Sequence, residues 1–592
     1  MKKVMTALML AASTILGCTT DEDDSWLDDI YGGTQTDGSA IGGSVNGGAT
    51  AGSGELTSFT VAIDKSSAEP TATVSEYFPD EEDDLANNTF DTEVNIVFNG
   101  SSATYDSVDG VTVTANGAHL LVSHGATKGV CYNVSGTTTE GSLTILGTKK
   151  YAVRLNGVSI TNPDSTALNL LSSKRAYIVL ADGTSNMLAD ASTTKAEDHK
   201  AALYCKGKLL FNGSGALEVY GNYNNGIHSA DYIVFRTGNN VYVKSTANHG
   251  IKANDGIYVN GGIINVEVSA LAAKGINCES NIVVNGGRTT VITTGNGTLD
   301  TDDGGVKGSA AIKADSTYTQ NGGVVCLKST GSGGKGLKTD YEAYLNGGSL
   351  YVITEGTRFT GNNDTSSPKG IKIGEKNVYG LLNVSGGTVM VRTKGTGGEG
   401  VESKGTITIA GGTLQVSAYD DAVNSAGDMT ISGGDIVAVG TGNDGLDANG
   451  NMYIKGGNIV AFGASGAETG IDIGEQYKLY ITGGNIFGIG GRIDANLGST
   501  TQGIVSTSGS VTANGTVSVS DGSNTLFTFT MPPYSYSNGT ILLSTPGMAS
   551  GNSYSLSLGS STQTVTASNT LSSSMGGGGM QPGGGGGRPG GW

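Results

Sequence analysis

The sequence predicts an all-β solenoid, a parallel β-helix closed by a C-terminal β cap, and three observations carry that prediction. Glycine supplies 98 of the 592 residues and proline only 9, without a three-residue period, so collagen is excluded. Apolar residues make up 37% of the chain and fall in short alternating runs such as Ile263-Ile-Asn-Val-Glu-Val, which argues strand and against wholesale disorder. Glycine-led turns recur from Gly261 through Gly286, Gly322, Gly347, Gly386, Gly411, Gly433, Gly456 and Gly483, at spacings of 25, 36, 25, 39, 25, 22, 23 and 27 residues. A unit of 22–25 residues with two inserted loops explains the series. Propeller blades need longer units, and leucine-rich repeats need a leucine ladder that is missing. Stacked coils, about sixteen of them at about 4.8 Å each, remain.

Taken in order, Lys2-Lys3, the apolar run Ala7 to Leu16 and Gly17-Cys18 read as a lipoprotein signal over residues 1–17, with Cys18 the lipidated residue. Residues 18–55 are an acidic, Gly/Ser-rich tether, opened by a run from Asp21 to Asp24 that resembles a surface-export tag. These readings place the protein on the outer membrane, facing the cell surface. Residues 56–90 are expected as an N-terminal β segment, 91–500 as the β-helix, 501–572 as the cap and 573–592 as a flexible Gly-rich tail. The net charge of −19 is concentrated at the start: residues 1–100 hold 3 basic and 18 acidic side chains, the rest 31 and 35. So few basic residues exclude a nucleic-acid coat. Cys131, Cys205, Cys278 and Cys326 show no zinc spacing and are expected as buried free thiols. A monomer is expected.

In a solenoid, equivalent positions of successive coils become neighbours, so columns carry the chemistry. Each unit opens on a small residue, from Gly226 and Gly250 to Gly445 and Gly470. Two positions later the column reads His228, Lys252, Asn277, Lys313, Lys338, Lys372, Glu402, Asn424, Asp447, Asp472. One position earlier it reads Asn225, His249, Lys274, Lys335, Lys369, Glu399, Asp421, Asp444, Thr469 once the insert-bearing unit is left out. Both columns turn from basic to acidic near residue 399.

Two ligands are expected from that pattern. Stacked lysines suit an anionic sugar chain, with His249, Lys252, Lys274, Lys335, Lys338, Lys369 and Lys372 as carbohydrate-binding candidates. Tyr258, Tyr344, Tyr351 and Tyr379 are candidate stacking faces. Stacked carboxylates repel, and oxygen donors suit Ca²⁺, with Glu399, Glu402, Asp420, Asp421, Asp444, Asp447 and Asp472 as candidate ligands. The segments Gly331–Gly336 and Gly395–Gly400 fit G-x-G-x-x-G only as expected by chance in so glycine-rich a chain.

Several motifs in one order then resemble a known family. They include Val94-Asn-Ile-Val-Phe-Asn-Gly100, Leu155-Asn-Gly-Val-Ser-Ile-Thr161, Leu180-Ala-Asp-Gly-Thr-Ser-Asn186, Asn212-Gly-Ser-Gly-Ala-Leu217 and Leu543-Ser-Thr-Pro-Gly547. Over about residues 89–560 the chain is similar to the bacterial surface carbohydrate-binding-domain family. The resemblance implies a right-handed parallel β-helix of pectate-lyase-like shape, calcium, and binding of acidic plant polysaccharides. A non-catalytic binding protein is the leading reading. Its rivals are a calcium-dependent polysaccharide lyase, with Lys372 as the base, and a structural surface adhesin.

Overall fold

A computed structural model describes residues 59–125, 129–193 and 199–571, together with the backbone of 40–41. Among these residues there is no α-helix, and the body is a parallel β-helix of three sheets. Sheet 1 has fifteen strands; the first, Thr112–Asn116, is antiparallel and closes the lower end. The other fourteen each open one coil: Ala118–His124, Gly141–Gly147, Leu168–Leu170, Ala201–Cys205, Asn225–Ser229, Ile251–Ala253 and Lys274–Cys278 open coils 1 to 7. Ala310–Ala314, Lys335–Thr339, Lys369–Ile373, Glu399–Ser403, Val423–Ser425, Leu446–Ala448 and Ile471–Ile473 open coils 8 to 14. Fourteen coils replace the sixteen expected, because hairpins and the cap take over at the two ends. At about 4.8 Å per coil the rod is about 65 Å long.

After its sheet 1 strand each coil crosses sheet 2, turns and crosses sheet 3, and from coil 6 onward the turn is the double glycine, as between Asn281–Val284 and Arg288–Thr293 of coil 7. The second glycine of that turn has positive φ, +84° at Gly262, which an L side chain resists. The asparagine before it does more than turn the chain. Asn285 Nδ2 donates to Asn260 Oδ1 at 2.9 Å, Asn321 to Asn285 and Asn346 to Asn321 at the same distance, giving one hydrogen-bonded ladder along the corner. Breaking it at Asn285→Ala strands the Asn321 Nδ2 donor and removes one of the bonds to Asn260 Oδ1, so a loss of about 1–3 kcal/mol is expected in urea unfolding. Inside the coils, in-register ladders such as Ile251, Ile276, Ile312, Leu337, Ile371, Val401 and Val423 form the main core.

The stretch expected as an N-terminal β segment has no strand over residues 59–90, only two short 3₁₀ turns, Glu81–Asp83 and Leu85–Asn87. It is an arm laid against the rod and held by side chains. Phe59 packs on Cys326, Tyr351 and Met390 of sheet 3. Glu69 accepts the Gly238 and Gly262 amides at the sheet 2–3 corner, and the Tyr77 backbone caps the Asn260 end of the ladder. Arg236 then pairs with Glu76 at 2.6 Å, and Arg175 with Asp83 at 2.8 Å. Phe78, Leu85 and Phe90 finish on sheet 2 over Tyr177, Leu210 and Tyr232.

The cap packs Val517, Val519, Phe527 and Phe529 onto the outer face of sheet 3 in the last coils, against Val460 and Phe487. Its strand Tyr536–Ser544 pairs antiparallel with the end of Leu479–Gly490 and covers the upper edge. Cys131, Cys205 and Cys278 are buried free thiols as expected, and Cys326 is equally buried. The lipidation site Cys18, the signal, the tether and the tail lie outside the described residues.

Candidate functional site

Arm and cap spend their described contacts on sheets 2 and 3, which leaves the outward face of sheet 1 as the long open side of the rod. The corner glycine sets its geometry. At Gly226, Gly250, Gly275, Gly336, Gly370 and Gly400 an added Cβ would stand under 3 Å from a valine of sheet 3, so the chain turns tightly there; the residue after each glycine enters the core, and the columns one before and two after it lie on the other side. The outer column is in strict register: His228, Lys252, Asn277, Lys313, Lys338, Lys372, Glu402, Asn424, Asp447 and Asp472 are successive partners. The inner column runs beside it, with Lys274, Ala310, Lys335, Lys369 and Glu399 likewise paired.

The outer lysines are not bare cations. A third column, just past the ends of the same strands, puts a carboxylate within reach of each, Glu375 being shared by two. Lys252 pairs with Glu279 at 2.8 Å, Lys313 with Asp315 and, at 3.3 Å, Asp340, Lys338 with Glu375, and Lys372 with Glu375 at 2.7 Å. Burial opposes it, yet Lys338 and Lys372 hold the Glu375 carboxyl down to about 2. Lys372, the candidate base of a lyase, is therefore an engaged ion-pair partner. The signal that sequence reasoning passed over is this recurring acid just after the strand: Glu279, Asp315, Asp340, Glu375.

Lys274 and Lys335 of the inner column differ, since neither has a carboxylate at ion-pair distance among the described residues. Lys274 Nζ donates to Ala272 O at 2.5 Å. Lys335, 8% exposed, donates to Gly333 O at 2.8 Å and to Ser366 Oγ, under the hairpin Phe359–Gly361 and Asp364–Ser366. Burial, followed by the charges of Lys338, Lys313 and Lys307, brings Lys274 down to about 7. Burial, then Lys372 and Lys338, takes Lys335 well below the usual lysine range. His249 is not a cation at all: burial, then Lys274 and Lys252, drives it down to about 3, and its Nδ1 accepts the Lys274 amide at 3.0 Å.

The seven expected calcium ligands do not converge. Lys369 binds Glu399 at 2.6 Å and Glu402 at 3.5 Å, Lys404 binds Glu402 at 2.6 Å, and Asp420 faces Arg358 at 3.7 Å. Asp421 and Asp444 repeat the task of His249: each accepts the amide of the next coil's column residue, Asp444 at 3.0 Å and Thr469 at 2.5 Å. Only Asp447 and Asp472 remain as stacked, outward carboxylates. No group of three or more His, Cys, Asp or Glu among the described residues is arranged to hold a metal ion. The acid end therefore does not fit a built calcium centre, and no chemistry is routed through one.

Of the candidate stacking faces, Tyr351 and Tyr258 lie under the arm, against Phe59 and Tyr77. Tyr344 hydrogen-bonds Glu342 at 2.9 Å, and Tyr379, 63% exposed, projects from the sheet 1–2 corner. Tyr453 and Tyr480 stack on each other at 4.9 Å, so their faces meet and only their edges look outward. A flat aromatic platform is not what this surface presents.

A carbohydrate-binding domain-containing protein of Acetivibrio thermocellus is 34% identical over 164 residues, 26% of this chain and 55% of that protein, so the chain spans about half the relative's length. A solved structure described as the polysaccharide lyase-like protein from C. thermocellum, a gadolinium derivative, is 24% identical with a TM-score of 0.32, covering 45% of this chain and 92% of its own. The profile of one family matches residues 109–445, which hold coils 1 to 12 and both outward columns up to Asp444. The chain belongs to the carbohydrate-binding domain-containing protein family.

Proposed function

We propose that this chain is a non-catalytic polysaccharide-binding rod, exported and lipid-anchored through Cys18, that holds an acidic, pectin-like chain along the outward face of sheet 1. The observation that carries the reading is the pair Lys274 and Lys335. They stand two coils apart in one column at the border of that face, Lys335 beneath the hairpin that ends at Ser366, inside a field of other lysines and, among the described residues, without a carboxylate at ion-pair distance. A uronate placed between them supplies the missing anion. At a separation of 4 Å and an effective dielectric of 20 such a pairing is worth about 4 kcal/mol before desolvation, and it favours the charged form of both amines. The outer lysines, already paired, set the register of the ligand more than its affinity.

Retention on polygalacturonate tests this, with the absorbance of unsaturated products followed in the same tube. Retention without new absorbance is the expected result, and Lys274→Met or Lys335→Met should each weaken it about tenfold. Proton linkage gives the sign. Above pH 7 the Lys274 amine is largely neutral in the free protein, and a bound carboxylate raises its pKa, so binding takes up protons at pH 8 and less at pH 6. Calorimetry in buffers of different ionisation enthalpy reads that uptake. A chelator should leave retention unchanged, since the acid end builds no calcium centre. Rising absorbance would place a lyase base at these amines, and no retention on any polysaccharide would leave the adhesin.

A further inference from the structure

Two hollows lie away from sheet 1. The larger, about 490 Å³, sits between the arm and the sheet 2–3 corner, where Arg236 is already bound by Glu76 and Asp84. The other, about 370 Å³, opens where the cap crosses the sheet 3–1 corner of coils 12 and 13. Phe462 from the rod and Tyr534 and Tyr536 from the cap supply an aromatic lining, and Thr441, Ser465 and Ser537 line it with hydroxyls. Its aromatic groups are anchored: Tyr536 OH donates to Ala464 O at 2.9 Å, Tyr534 and Ser417 share a hydrogen bond at 3.0 Å, and the Phe462 and Tyr534 rings lie 6.4 Å apart.

We infer that this cleft is a second carbohydrate subsite, one that takes an uncharged sugar. It deepens the polysaccharide-binding reading, on which it rests. Aromatic carbon against hydroxyl-bearing side chains matches the two faces of a pyranose, apolar C–H on one side and hydroxyls on the other. Charge decides the class of sugar. None of the lining residues carries a charge. A uronate entering here would give up its hydration and meet no cation, so the ring that fits is neutral. The lysine pair and the cleft thus divide one rod between an acidic and a neutral part of a glycan.

The test uses the full chain, neutral galactan, xyloglucan and arabinan as probes, and polygalacturonate in parallel. Tyr534→Ala and Tyr536→Ala should weaken retention on the neutral glycan that the wild type binds by tenfold or more. Polygalacturonate retention should stay within twofold. Tyr534→Phe, which keeps the ring, should retain neutral binding. Ser465→Arg, at an exposed position on the rim, should block the cleft without disturbing the cap and so give the same loss even where an alanine variant fails to fold. Wild type that binds none of the three neutral glycans overturns the inference, as does a Ser465→Arg variant that binds them unchanged. Loss of polygalacturonate retention in wild type instead overturns the acidic-ligand reading alone.

Discussion

Gly336→Val is expected to lower the stability of the rod by about 2–3 kcal/mol and to abolish retention on polygalacturonate. A Cβ at Gly336 would crowd Val352 Cγ1 and come 2.6 Å from Gly370 O, and neither the sheet 3 core nor the next strand has room to yield. The same conflict recurs at Gly226 with Val243, Gly250 with Val266, Gly275 with Val291, Gly370 with Val391 and Gly400 with Val416. Where alanine stands in this column the residue across is different: Leu327 sixteen positions after Ala311, Ala438 sixteen after Ala422, all four fully buried. Leucine branches one carbon further out and alanine does not branch, so either leaves room for a methyl. The paired change Gly336→Ala with Val352→Ala copies the arrangement of coil 12. It should recover most of the loss of Gly336→Ala alone, read by urea unfolding of all three variants. Function follows because Lys335 and Lys338 sit on the same short strand; a corner forced open moves both.

That corner also explains how much of the molecule was legible beforehand. Once each coil starts on a small residue, counting two forward or one back lands on true neighbours, so Lys313, Lys338, Lys372 and Glu402 could be aligned from sequence and are in register. What counting cannot give is the partner across a column. Lys338 reads as a free cation until Glu375, which follows its own strand by an extra residue, is seen to reach it. Asp421, Asp444 and His249 read as ligands or charges because their side chains are titratable, yet all three are spent on the amide one coil up. The arm escaped for a different reason. It makes no backbone ladder, so it has no period; its grip lies in carboxylates, Glu69, Glu76 and Asp83, seven residues apart and bound to groups far along the chain. The cap cleft joins Phe462 to Tyr534 and Tyr536, more than seventy positions away in sequence, and no local pattern links them.

Asp447→Asn is expected to raise the midpoint of thermal unfolding at pH 8 and to leave it unchanged at pH 4. Burial first, then the carboxylates of Asp472 and Asp444, pushes Asp447 up to about 8; similar surroundings take Asp421 to about 9 and Asp444 to about 7. An aspartate in the unfolded chain titrates near 3.9. A raised folded-state pKa means the folded form holds its proton more tightly, so this stability is fully present below about pH 4. It is lost as the pH rises through about 8. Asparagine mimics the protonated acid at every pH, and its side-chain oxygen can still accept the Asn449 Nδ2 hydrogen bond that Asp447 accepts at 3.1 Å. Asn424, the in-register partner one coil below, already occupies this place in the column. The gain at pH 8 should be about 1–3 kcal/mol, part of the full shift being screened by solvent and by relaxation of Asp472. Calcium separates the two ways of relieving stacked carboxylates. If protons alone do so, millimolar calcium moves the wild-type midpoint at pH 8 no more than magnesium does. If instead calcium closes the gap between wild type and Asp447→Asn, a cation site forms at Asp447 and Asp472 after all, and the geometry assigned to the acid end is wrong.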